Sequence, residues 1–246
     1  MRKTLIAAAA ALAITAIPAT VALAQLPAPH ATATVTITPG DAGTKRHPHN
    51  AQFHLFVQNN VESQTTASEI EITIPRKVKV SGKGLRKCDK TALAANGPDA
   101  CPSKSSAGSG LAHALVNPHS ADPFELTLDV SVFIGGKKKL LFFVQGRELP
   151  EVVGIFDAPL RTLSNGKQQM RVKIPTNLQQ PAPGTYSALV DLETTLSRKR
   201  GDHYLFRTIG CKGGSHNFGI ALVYVPNPTP PAASRSETTA QAPCTK

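Results

Sequence analysis

Tryptophan is absent from this 246-residue chain, tyrosine occurs three times and methionine twice. Proteins that grip sugars or single nucleic-acid strands stack them on exposed aromatic rings. The shortage therefore argues against a carbohydrate-binding module and against a single-strand binder. Charged residues are also sparse, at 17%. The four cysteines contain no C-x-x-C pair, so the usual zinc-site spacing is missing. No G-x-S-x-G occurs either, and Ser109 in Gly108-Ser109-Gly110 is not a nucleophile elbow. Helical periodicity never runs longer than a turn or two. After residue 24 no apolar run has the length needed to span a bilayer.

What is present begins with an address. Arg2 and Lys3 precede an apolar run over residues 5–17, which Pro18 breaks. Ala22-Leu23-Ala24 then presents the small-x-small pattern of a signal-peptidase site. Residues 1–24 are expected to be a signal peptide, cut before Gln25. No cysteine stands at the cut, which argues against a lipoprotein, and no twin-arginine pair precedes the run. The end at Cys244-Thr245-Lys246 carries no apolar tail. The expected product is secreted, extracellular or associated with the cell wall, without an integral membrane anchor after cleavage.

Removing Arg2 and Lys3 takes the formal net charge from +11 to +9. Outside a cell, such a surface meets anionic wall polymers, acidic polysaccharide or lipid head groups before nucleic acid. These contacts are screened within roughly 10 Å at 0.1 M salt. Two small basic clusters stand out, Lys137-Lys138-Lys139 and Arg198-Lys199-Arg200, both placed where hairpin turns are expected. They are the candidate contacts to an anionic polymer.

With 20 prolines and 18 glycines, the apolar residues come in short runs between turn residues. Residues 31–38 alternate small or apolar residues with threonine. Ile70, Ile72 and Ile74 share one face, as do Val78 and Val80. Residues 124–134 alternate most clearly, with Phe124, Leu126, Leu128, Val130, Val132 and Ile134 on one side and polar residues opposite. Gly135-Gly136 turns the chain into 140–144, a continuous apolar run suited to a strand buried on both faces. Further strands are expected at 53–57, 111–116, 152–156, 168–174, 185–195, 203–209 and 216–225, with Asn165-Gly166 as the strongest short turn signal. Residues 81–110 lack a period beyond one helical turn over 91–95.

About a dozen mostly antiparallel strands close into an all-β sandwich, immunoglobulin-like or jelly-roll-like. The domain is expected over 25–225, with a weak sub-boundary near 117–123. The Pro/Ser/Thr-rich residues 226–246 are expected to form a disordered tail.

Cys88, Cys101, Cys211 and Cys244 allow three disulfide connectivities in an exported chain. Cys88 and Cys101 enclose a Gly/Pro loop and are the expected first pair. Cys211 and Cys244 would then tie the tail to the last hairpin.

Three constellations could carry chemistry. His47, His49 and His54 form an H-x-H-x4-H cluster, a metal-binding reading that competes with plain loop histidines. Asp191 and Glu193 lie two apart on one strand face and are the carboxylates a polysaccharide or peptidoglycan hydrolase would use. Arg200-Gly201-Asp202 is an adhesion-type tripeptide but also ordinary turn chemistry. None displaces the expectation of a protein that is not an enzyme and has no metal or other cofactor.

One block carries a family likeness. Leu85-Arg86-Lys87-Cys88 is followed by Gly97-Pro98-Asp99-Ala100-Cys101-Pro102-Ser103-Lys104-Ser105 and Gly108-Ser109-Gly110. It resembles an L-x-K-C…A-C-P-x-x-S-x-x-G-x-G block of an uncharacterised family of exported, β-rich bacterial proteins. Asp41-Ala42-Gly43-Thr44-Lys45-Arg46-His47-Pro48 and the closing strands at 204–211 and 218–224 extend the likeness over most of 35–225. Ala107 stands where that block has an aliphatic residue, and Cys244 lies outside it. The resemblance implies an exported, disulfide-bearing β protein and assigns no activity or site residue. The expectation is a non-enzymatic structural or binding protein of the bacterial cell envelope.

Overall fold

A computed structural model describes residues 27–147, 152–225 and 234–245. The expected signal peptide lies outside them. Alternation of apolar and polar residues builds the first strands, β1 (Ala31–Thr38), β2 (His49–Asn59), β3 (Thr66–Ile74) and β4 (Val78–Val80). β1 buries Ala31, Val35 and Ile37 while its threonines face outward.

After α1 (Lys90–Asn96) come β5 (Ser106–Val116), β6 (Phe124–Gly136), β7 (Lys139–Gly146), β8 (Val153–Thr162) and β9 (Gln168–Lys173). A one-turn helix α2 (Thr176–Gln179) leads to β10 (Ser187–Leu196). A two-stranded ribbon, β11 (Lys199–Arg200) and β12 (His203–Tyr204), precedes β13 (Phe206–Thr208), β14 (Ser215–Val225) and β15 (Arg235–Pro243). The strand expected over 203–209 is thus split in two.

Outside the β11–β12 ribbon, the described strands join in one antiparallel sheet. Its order is β15-β14-β3-β9-β8-β7-β6-β5-β10-β2-β13-β4, with β1 also on β2. The sheet folds over into a sandwich. β8 turns the corner: residues 153–159 pair with β7, and residues 160–162 pair with β9. Pro159, which has no N–H to donate, stands at the switch. The two far edges then meet. β1 and β15 run side by side, with the Ala31 N–H on Ser236 Oγ at 2.9 Å at one end. At the other end Ala42 N–H donates to Thr245 O and Thr245 N–H to Gly40 O, both at 3.0 Å.

One apolar core fills the space between the layers. A second, smaller core lies on the outer face of β6, β7 and β8. There Leu93 of α1 and the Cys88–Cys101 disulfide cover Phe133, Leu141 and Phe143. This cap explains why 140–144 is apolar on both faces. The side chain of Asp89 accepts the Ala92 N–H at 3.0 Å and so caps α1.

Two expectations about organisation change. Residues 117–123 connect the antiparallel pair β5 and β6, so the sheet and its core run through the place where a sub-boundary was expected. Of the expected disordered tail, 226–233 lie outside the described residues, whereas Arg235–Pro243 is a strand on β14. Its inward residues Ser236, Thr238, Ala240 and Ala242 are small, so it packs without the apolar alternation that announces a strand. The Cys211–Cys244 disulfide pins its end.

Candidate functional site

The Lys137-Lys138-Lys139 turn and the Arg198-Lys199-Arg200 segment are 61 positions apart in sequence. The loop after β4 brings them together. Gly82 N–H donates to Lys137 O at 3.0 Å, and Leu205 O accepts the Ser81 N–H at 2.9 Å. The Arg200 guanidinium donates to Gly84 O at 3.4 Å. Glycine is needed at both loop positions. A Cβ on Gly82 would strike Gly136 O, and one on Gly84, at φ +78°, would strike the His203 ring.

The bridging loop adds its own cations. Lys83, Arg86 and Lys87 are exposed, as are Lys137, Lys138, Lys199 and Arg200. One end of the sandwich is therefore strongly basic. Two of the six expected contacts are less available. Lys139 is held with Lys90 on Asp157, at 3.2 and 2.9 Å, and Arg198 is half-buried. Burial opposes ionisation of Asp157, but these two ammonium groups outweigh it and hold its carboxyl below the usual range. Lys199 lies over the Tyr204 ring, 5.5 Å from its centre.

On the adjoining β4, the Lys79 ammonium is pushed down, first by burial and then by the Arg207 and Arg76 charges. Lys83, Arg86 and Lys87 were readable in the sequence, but their place beside the other two clusters depends on long-range hydrogen bonds. The Arg200-Gly201-Asp202 tripeptide does sit at a hairpin tip, with Gly201 at φ +54°.

The remaining candidates separate. His49 Nδ1 lies 3.0 Å from Asp41 Oδ2 at the start of β2, while His47 is in the preceding loop. His54, on the outer face, lies 3.0 Å from Thr195 Oγ1 and 3.6 Å from Glu193 Oε1. The three histidines do not converge, and among the described residues no group of three or more His, Cys, Asp or Glu could hold a metal ion.

Asp191 and Glu193 do share the outer face of β10. Each has its own histidine, however. Asp191 Oδ1 is 2.7 Å from His113 Nδ1. Glu193 lines a shallow depression with Ser109, Asp129 and Arg147, and Asp191 is not part of it. Hydrogen bonds from Arg147, at 2.6 and 3.0 Å, hold the Asp129 carboxyl below its usual range.

No family model, curated protein or solved structure matches this chain.

Proposed function

We propose that the protein is an exported, non-enzymatic binding component of the bacterial cell envelope, held on anionic wall polymers by its basic end. One observation carries the reading: the loop over 81–84 gathers two separate basic turns, and its own Lys83, into one surface. A cluster of this kind binds a repeating polyanion better than scattered charges do, because neighbouring phosphates or carboxylates are engaged together. The leader-like residues 1–24 and two disulfides support an extracytoplasmic setting.

The test is cosedimentation of the protein lacking residues 1–24 with isolated bacterial cell walls, from low to high salt. Retention should fall steeply as salt screens the charges. Replacing Lys83, Lys137, Lys138, Lys199 and Arg200 with serine should remove it at every salt. Salt-independent retention, or unchanged retention of the folded variant, would defeat the proposal.

A further inference from the structure

β4 and β13 pair in the register Val78 with Thr208, Lys79 with Arg207, and Val80 with Phe206. Val78, Val80, Phe206 and Thr208 are buried. Side chains alternate along a strand, so Lys79 and Arg207 stand side by side on the outer face. Directly opposite residues have their Cβ atoms about 5 Å apart, and like charges there weaken the pairing. Two cations thus face each other where two neutral side chains would serve the fold better.

The turn before β9 brings in a third cation. The Gln168 side chain pairs with the Val80 backbone as a neighbouring strand would, accepting its N–H at 2.9 Å and donating to its carbonyl at 3.0 Å. This clamp sets the turn over 163–167 against β4. Two successive carbonyls of the turn then receive two cationic head groups. Arg76 donates to Asn165 O, and Lys79 donates to Gly166 O at 3.4 Å. The Arg76 guanidinium and the Lys79 ammonium are therefore neighbours, and Arg207 stands opposite Lys79 on the other strand. Their closeness is felt: after burial, the charges of Arg207 and Arg76 push the Lys79 ammonium down. Elsewhere on the sandwich Lys139, Arg147, Arg171 and Arg235 each rest on a carboxylate. Among the described residues Arg76, Lys79 and Arg207 form no ion pair.

We propose that Arg76, Lys79 and Arg207 bind a phosphate group on the outer face of β4 and β13. The donors select the class. Two planar guanidinium forks and one ammonium serve the several oxygens of a tetrahedral oxyanion, whereas a single carboxylate offers two oxygens and one charge. A bound phosphate turns the repulsion between Lys79 and Arg207 into shared attraction, so the ligand stabilises the folded state. The inference rests on the proposed function only for the source of the phosphate, which is either a diester unit of a wall polymer or the free ion.

The test is titration of the protein lacking residues 1–24 with inorganic phosphate in chloride buffer at constant ionic strength. The Nε–H signals of Arg76 and Arg207 should shift together and saturate, with a Kd below about 1 mM. Calorimetry should show Tm rising with phosphate and not with chloride. Arg207→Gln should weaken binding by at least about fivefold while leaving the phosphate-free protein as stable as the parent or more so, because a repulsion has gone. A residue kept only for structure would do the reverse. Lys79→Gln serves the same purpose should the first variant misfold, and Lys104→Gln, which removes one exposed charge elsewhere, should change nothing. Competition by dimethyl phosphate would assign the site to a polymer's diester, and a response to inorganic phosphate alone would assign it to the free ion. Shifts that do not saturate, or equal affinity in folded Arg207→Gln and Lys79→Gln, would overturn the proposal. Either result leaves the cosedimentation outcome standing, since that test replaces the turns and this one replaces β4 and β13 residues.

Discussion

The Tyr224 hydroxyl donates to Asn59 Oδ1 at 2.8 Å, and both side chains are 4% exposed. The Asn59 amide in turn donates to Leu189 O at 3.0 Å, beside the register shift between Leu189 and Asp191 in β10. Three strands from distant parts of the chain are joined by this relay, β14 through β2 to β10. Burial pushes the Tyr224 phenol up to about 12, so the hydroxyl stays a donor at any physiological pH.

Tyr224→Phe is therefore expected to destabilise by about 1–3 kcal/mol, because it leaves the buried Asn59 oxygen without its donor. For a chain of this size that is a fall in Tm of roughly 2–10 °C. Urea unfolding at pH 7 measures it. A Phe variant as stable as the parent would mean that the Asn59 oxygen finds another donor and the relay is dispensable.

A row of ion pairs lies on the outer face of the layer that contains β3, β14 and β15. Arg235 of β15 reaches Glu71 of β3 at 2.7 Å, across the intervening strand β14. It can do so because the residue between them is Ala221, paired with Glu71 on one side and Glu237 on the other. Arg171 completes the row at 2.9 Å from Glu71 and 2.6 Å from Glu69. Burial works against the Glu71 carboxylate. The hydrogen bonds with Arg235 and Glu69, and the charges of Arg235 and Arg171, outweigh that and lower its pKa. A lowered carboxyl stabilises the fold above its ordinary value of 4.5 and loses that contribution as pH falls through the folded value. Arg235→Ala should cost about 1–2 kcal/mol, the half-exposed arginine keeping the figure modest. It should also speed hydrogen exchange in β15 and shrink the loss of stability below pH 4.5. Unchanged exchange in β15 would show that strand pairing alone holds it.

How much of this was readable in advance differs by element. The alternation over 124–134 and the two-sided apolar run over 140–144 announce β6 and β7 because their burial is repeated every second residue. The same local rule fails for β15, whose inner face is Ser236, Thr238, Ala240 and Ala242. Small residues bury little apolar area, and the strand is held by β14, the Arg235 contacts and a disulfide instead. Tyr224 falls in the strand expected over 216–225 and Asn59 just beyond the one expected over 53–57, and nothing local marks them as partners, since their pairing spans 165 positions. At the basic end each cluster was legible, but the hydrogen bonds of Gly82 and Ser81 that unite them were not.

His216 supplies a pH dependence in a different range. It is 2% exposed on the inner face of β14, and its Nε2 has no hydrogen-bond partner. Burial lowers its pKa from 6.5, so the folded protein holds it neutral where the unfolded chain takes up a proton. Stability should therefore fall as pH drops below about 6.5 and be flat above it. His216→Leu should remove that slope between pH 5 and 6.5, with the carboxylate effects below pH 4.5 retained. Chemical denaturation at several pH values reads both windows, and an unchanged slope in the Leu variant would assign the dependence to another group.

The two disulfides should fail in different ways. In the chain-entropy model, closing 33 residues between Cys211 and Cys244 is worth about 3.7 kcal/mol, and closing 13 between Cys88 and Cys101 about 3. Entropy alone thus makes the longer bridge the more important. Packing reverses the functional order. Loss of Cys211–Cys244 releases the end of β15, whose inner residues are small and whose hydrogen bonds to β14 remain. Loss of Cys88–Cys101 frees the cap that holds Leu93 over Phe133, Leu141 and Phe143, exposing aromatic and aliphatic surface on a sheet face. The double variant Cys88→Ser/Cys101→Ser should therefore bind a hydrophobic dye and aggregate at temperatures where the rest of the sheet is intact. Cys211→Ser/Cys244→Ser should lower Tm without dye binding before the main transition. Absence of dye binding by the Cys88→Ser/Cys101→Ser variant before the main transition would show that the cap stays docked through Leu93 and the capped helix α1 without its disulfide.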